Sequence, residues 1–217
     1  MKLFQFGILI IIALSINSCK KDAPKLGPDQ QMSVPLLLMD YGYFKPGTYW
    51  VYQDSASLTR DSIFVTSSWF GVDTILASHS QNYNGYYGYF NVYSQSIYEG
   101  RKFRNWVNTV FTFSGITDLS EYKFIGADST AGTCLMRDNL VVGQYYGSYP
   151  VAFENKCDSF QILNIWYKKV LLFRDAKNAT QNNSATNTYF AKNVGVIRKE
   201  IRTPYKVWNL VHYQIFQ

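Results

Sequence analysis

The chain has 217 residues, a formal charge of +6 from 21 basic and 15 acidic residues, and 18 Tyr, 15 Phe and 5 Trp. No run of five or more basic residues occurs, which argues against nucleic acid as a partner. Two histidines and three cysteines, widely scattered, do not supply the local ligand spacing of a metal site.

The N-terminus opens on Lys2 and an apolar stretch from Leu3 to Ile16, broken by Gln5 and Ser15. That length suits an export signal and falls short of the roughly 20 apolar residues of a membrane span. Ile16-Asn17-Ser18 then runs into Cys19, followed by Lys20, Lys21 and Asp22. Residues 1–19 resemble a bacterial lipoprotein signal, with a basic start, an apolar core, Ile three residues before the cysteine and Ser just before it. The resemblance implies that residues 1–18 are removed and that Cys19 becomes the lipid-bearing first residue. The alternative is an ordinary export signal with a cysteine there by chance. Each buried acyl methylene contributes about 0.8 kcal/mol, so several chains on one residue would hold a soluble domain at a membrane. Loss of Lys2 lowers the formal charge from +6 to +5. The resemblance places the protein in the cell envelope, at the outer membrane, and leaves its periplasmic or surface face open.

Residues 19–47 read as lipidated cysteine, tether and lead-in. Pro24, Gly27, Pro28, Pro35, Pro46 and Gly47 leave little room for a long helix. The apolar run Val34 to Met39 is expected to pack on the edge of the domain. From Thr48 onward the composition is that of a β protein. Strands are predicted near 48–54, 60–67, 72–78, 86–95, 97–104, 106–113, 121–126, 133–137, 160–173, 186–192, 194–202 and 206–216, with turn residues between them. A short helical turn is expected near Ile116–Ser120. Helical periodicity is weak elsewhere. The reading is a single all-β domain of antiparallel strands over 48–217, as a barrel, a half-barrel or a two-sheet sandwich.

Two long strands carry apolar bulk on both faces. In the last, Trp208, Leu210, His212, Gln214 and Phe216 share one face, and Val207, Asn209, Val211, Tyr213 and Ile215 the other. In 160–173, Ile162, Trp166, Val170 and Leu172 oppose Leu163, Ile165, Leu171 and Phe173. Such strands suit a sheet covered on both sides or a barrel around an apolar ligand. The polar run 178–187 reads as a loop.

Phe44 to Gln53 (F-K-P-G-T-Y-W-V-Y-Q) resembles the opening of the β domain in lipoproteins of Bacteroidota. Tyr189 to Glu200 (Y-F-A-K-N-V-G-V-I-R-K-E) resembles their penultimate strands, and Cys19-Lys20-Lys21-Asp22 fits the residues after their lipidated cysteine. The resemblance covers about 30 residues at the two ends of the domain. It implies an all-β fold and an envelope location, and no particular activity.

Candidates for chemistry are few. Cys134 and Cys157 would close a loop of about 24 residues, worth about 3 kcal/mol if paired. Two separate buried thiols are the competing reading. His212 sits in an aromatic strand and reads as a packed or hydrogen-bonded histidine, and His79 as a solvated one. The chain contains no G-x-S-x-G or H-E-x-x-H motif. The glutamates are Glu99, Glu121, Glu154 and Glu200, and spacing gives no reason to pair any two across a cleft. No cofactor and no metal are expected, and a hydrolase with dispersed carboxylates ranks last among the readings.

The mid-chain stretch Asn82 to Tyr93 (N-Y-N-G-Y-Y-G-Y-F-N-V-Y) is the most informative. On a strand, Tyr87, Tyr89 and Tyr93 point one way with Asn91 among them, and Tyr86, Phe90 and Val92 point to the core. A row of tyrosines suits sugars or peptides. It equally suits cross-strand stacking that stabilises a half-exposed sheet. Tyr145, Tyr146 and Tyr149 form a second group, a candidate rim. The expected function is non-catalytic recognition of a glycan, a lipid or an envelope protein by a domain held to the membrane through Cys19. A structural subunit of an outer-membrane assembly is the alternative.

Overall fold

The computed structural model describes residues 30–75, 85–98, 100, 102–112, 115–126, 133–137, 140–146, 151–175, 186–202 and 205–217. They form one sheet and one short helix. In chain order the elements are β1 (Gln30–Met32), α1 (Leu36–Gly42), β2 (Tyr49–Asp54), β3 (Arg60–Ile75), β4 (Gly85–Ser96), β5 (Lys102–Thr112), β6 (Gly115–Gly126), β7 (Thr133–Arg137), β8 (Tyr145–Tyr146), β9 (Val151–Ile162), β10 (Ile165–Asp175), β11 (Thr186–Ala191), β12 (Gly195–Arg202) and β13 (Tyr205–Gln214).

The strand order is β7-β6-β5-β4-β3-β2-β13-β12-β11-β10-β9-β8, with β1 added in parallel to β4. The sheet is thus two antiparallel meanders, β2 to β7 and β8 to β13. They are joined where the first strand of one pairs with the last strand of the other. Neighbours along the chain are neighbours in space, so short connections suffice. The sheet curls into a half-barrel. Its two ends approach each other: β7 comes within 8 Å of β8 and β9 between Cα atoms.

The strands form where side chains alternate. In β2, Trp50, Tyr52 and Asp54 are buried and the residues between them are half-buried. Cross-strand partners share a face, so Trp208 and Leu210 join Asp54 and Tyr52 on the inward side. The register then slips between Leu210 and His212, making Val211 the extra residue of a bulge. After it, Tyr213 rather than His212 faces inward with Trp50. The simple alternation expected for the last strand therefore fails at Val211.

Three other expectations are corrected. The predicted strand 160–173 is a hairpin: β9 ends at Ile162, Leu163 and Asn164 turn, and Ile165 pairs back onto Ile162. The turn is marked only by Asn164, without Gly or Pro, between two apolar pairs, Ile162-Leu163 and Ile165-Trp166. Ile116–Ser120 lies in β6, not in a helical turn, because pairing with β5 overrides a weak local preference. The predicted strand 60–67 and the described part of 72–78 belong to one long strand, β3, which ends at Ile75 and carries a bulge between Val65 and Ser67.

The lead-in segment contributes to the interior. Seven residues are too few for a stable isolated helix, and α1 is held by packing. Leu38 and Tyr41 are buried with Phe44 against Trp50, Phe90, Phe153, Leu171, Phe190 and Leu210. The Phe44 ring meets Trp50 edge to face at 5.0 Å. Buried donors find carbonyls: Trp50 Nε1 donates to Val194 O at 2.6 Å and the Tyr52 hydroxyl to Val196 O at 2.8 Å. Gly195, at φ +87°, lets this packing close, since a Cβ there would stand 3.1 Å from the Phe44 ring. The C-terminus is tied to the start of β2, with Phe216 N donating to Thr48 Oγ1 at 2.9 Å.

Candidate functional site

The tyrosine strand has the facing expected of it. Phe90 and Val92 are fully buried, and Tyr89 and Tyr93 lie half-buried on the opposite face of β4. That face is a stack. Tyr93 stands beside Ser67 of β3 and Arg104 of β5 in the ladder. Trp69 stacks on Tyr93 from the β3 side, with centroids 5.1 Å apart and planes 26° apart. From the β5 side the Arg104 guanidinium lies 5.5 Å from the Tyr93 centroid. Arg104 is itself fixed by donating from two nitrogens to Asn91 Oδ1, at 2.9 and 2.6 Å. Tyr89 covers Gly71, where a Cβ would meet the ring at 2.8 Å. Both faces of Tyr93 are therefore occupied by neighbours, and the arrangement supplies cross-strand stabilisation.

Tyr87 pairs with Asp73 and with Met32 in the ladder, and its side chain lies outside the described residues. Tyr145 and Tyr146 form β8 and pair with Ala152 and Val151. Their side chains, and Tyr149 altogether, also lie outside that set. In the strand order β4 and β8 are not neighbours.

Cys19 and His79 lie outside the described residues. Cys157 is a half-buried free thiol on β9, and the side chain of Cys134 lies outside the described residues. Cys157 has Val170 as a ladder partner and Cys134 has Lys123. Their strands meet only across the gap between the sheet ends, where no ladder sets the 3.5–4.5 Å Cβ separation a disulfide needs. His212 is exposed on β13, its Nε2 2.8 Å from the Tyr49 hydroxyl. Glu200 accepts from Arg198 at 2.7 Å and from Asn187 at 3.1 Å. Among the described residues no three His, Cys, Asp or Glu side chains cluster as metal ligands would.

A concave site lies elsewhere, between α1 and the β9–β10 strands. It is a cavity of about 370 Å³ whose apolar lining comes from Leu37, Tyr41, Leu140, Phe153 and Leu171. Its polar lining is Asp40 and three lysines, Lys156, Lys169 and Lys192. Leu171 and Lys156 are cross-strand partners, which puts an ammonium next to the apolar floor. Lys192 pairs with Asp40 at 2.9 Å and Lys169 with Asp158 at 3.0 Å. Lys156 has no ion-pair partner among the described residues. Three ammonium groups against two carboxylates leave a net positive rim.

The rim is held in place. Lys169 has φ +53°, a left-handed backbone that side-chain-bearing residues seldom adopt. Its carbonyl accepts the Tyr41 hydroxyl at 2.6 Å. On the other side, Asn193, at φ +58°, donates its N–H to Asp40 O at 2.7 Å. Burial, and then the nearby Asp40 charge, push the Tyr41 phenol up to about 12, so it serves as a neutral donor at neutral pH. The cavity can take an apolar chain on its floor and an anion at its edge. Sequence reading singled out Val34–Met39 as an apolar patch. It missed the site because the three lysines come from separate strands and a turn.

No protein-family model matches the chain, and neither a curated protein nor a solved structure matches it.

Proposed function

We propose that this protein is a lipid-anchored, non-catalytic component of the cell envelope that binds an anionic amphiphile, an acyl chain with an acidic head, in the cavity beneath α1. One observation carries the ligand class: an apolar floor bordered by three lysines, one of them without an ion-pair partner among the described residues. Its volume of about 370 Å³ falls within the usual range for small-molecule sites. The leader ending in Cys19 supports the anchor. Glycan recognition by the tyrosine row is less well supported, because Tyr93 is covered on both faces.

Calorimetric titration of residues 20–217, which contain every described element, tests the ligand class. Sodium decanoate supplies tail and charge, decanol the tail alone, and sodium acetate the charge alone. Saturable decanoate binding, about tenfold weaker for decanol and absent for acetate, is the expected result; tenfold corresponds to about 1.4 kcal/mol. Equal binding of decanol, or no saturable decanoate binding, overturns it.

A further inference from the structure

The tip of the β9–β10 hairpin is apolar and exposed. Leu163 is 62% exposed and Trp166 63%, with Ile165 beside them at 37%. The hairpin is rigid at its base, where Ile162 is buried and pairs with Ile165. Leu163 also sits at φ +53°. That conformation is cheap for Gly and tolerable for Asn, and costly for Leu. Asn164 is adjacent, yet the strained position carries the large apolar side chain. A turn selected for stability alone would place these residues differently. Backbone strain combined with an exposed apolar side chain points to a role for the tip itself.

The charges around the tip choose the partner. Between residues 156 and 169 stand Lys156, Lys168 and Lys169 against Asp158, a net of +2. Lys168 and Lys169 follow Trp166 by two and three residues, which is about 7–10 Å along a strand. Lysines at that setback can reach head groups with their ammonium ends while the tip lies among the acyl chains. Trp suits such an interface because it combines an apolar body with an N–H donor. We propose that the hairpin tip docks on an anionic bilayer, with Leu163 and Trp166 entering the interfacial region and the lysines above them meeting acidic head groups.

This goes beyond the ligand-binding reading and does not depend on it. If Cys19 is the anchor, the eleven residue steps from Cys19 to Gln30 span at most about 40 Å, so the tip would work close to a membrane. The test leaves out the anchor. Residues 20–217 are sedimented with vesicles of phosphatidylcholine alone and with vesicles carrying 30% phosphatidylglycerol. The expected result is binding to the anionic vesicles at least tenfold tighter than to the neutral ones. Trp166→Ser and the pair Lys168→Glu/Lys169→Glu should each lower anionic binding at least tenfold, and high salt should reproduce the second effect. All altered side chains are exposed, and thermal melts that match the parent's are the control that the variants stay folded. A parent that fails to sediment, or variants that sediment as the parent does, overturns the proposal. Failure to sediment would leave the tip as a protein contact.

Discussion

The tyrosine face of β3–β5 and the cavity beneath α1 are both rich in the side chains binding sites use, yet they differ in what is left unspent. On the first, the described rings and charges sit against neighbours: Trp69 on Tyr93, Arg104 on Tyr93 and on Asn91, Tyr89 on Gly71. In the second, the floor holds open space and Lys156 has no ion-pair partner among the described residues. Residue type does not make a site. Unsatisfied area and charge in a concave setting do. The cross-strand stack lowers the energy of the fold, whereas the cavity leaves contacts for a ligand to complete.

The comparison can be broken most forcefully at α1. Leu38 is fully buried in the element that roofs the cavity, and Leu38→Ala is expected to cost about 3 kcal/mol by lost transfer energy and the void left behind. Urea unfolding should show the lower midpoint, and decanoate binding should weaken with it.

A smaller loss is expected at Asp54, a buried carboxylate whose hydrogen bonds are made. It accepts from the Ser57 hydroxyl at 2.7 Å and from the backbone N–H of Ser57 and of Val207. The Ser57 hydroxyl is the largest reason its pKa is lowered, with burial opposing. A lowered pKa in the fold means the carboxylate stabilises above the unfolded value of about 3.9 and that this contribution disappears as pH falls through the folded value. Asp54→Asn should therefore cost about 2 kcal/mol at pH 7. The gap between the two proteins should narrow in urea melts at pH 3.

Tyr93→Ala removes a stacked ring and a cation–π partner together and should cost about 1–2 kcal/mol. Decanoate affinity should stay unchanged, and a loss of affinity would contradict the separation of the two regions. The smallest stability effect belongs to Lys156→Glu. This exposed residue should move the urea midpoint by less than about 0.5 kcal/mol, while decanoate affinity falls about tenfold in calorimetry.

Much of β4 was legible. Phe90 and Val92 inward and Tyr89 and Tyr93 outward follow from period-two alternation, which holds wherever the ladder is regular. The same rule misled at Val211 and at Leu163. A bulge shifts the facing by one residue, and a two-residue turn marked by a single Asn is a weak signal among apolar neighbours. The candidate site was less legible still. Leu37 is local to α1, but Lys156, Lys169 and Lys192 become neighbours only when β9, β10 and the turn after β11 are brought against the helix.

By itself, then, the sequence determined the all-β class, the approximate place of most strands, and which face of β4 enters the core. These depend on composition and on near-neighbour periodicity, both of which a strand expresses locally. The tertiary structure alone decided that the two meanders join through β2 and β13, that α1 fills the curl of the sheet, that Tyr93 is covered, and that three distant lysines share one rim. Those outcomes rest on pairings between separate strands, in the case of β2 and β13 more than a hundred positions apart, and on bulges that reset register. Neither carries a signature within any short stretch of chain.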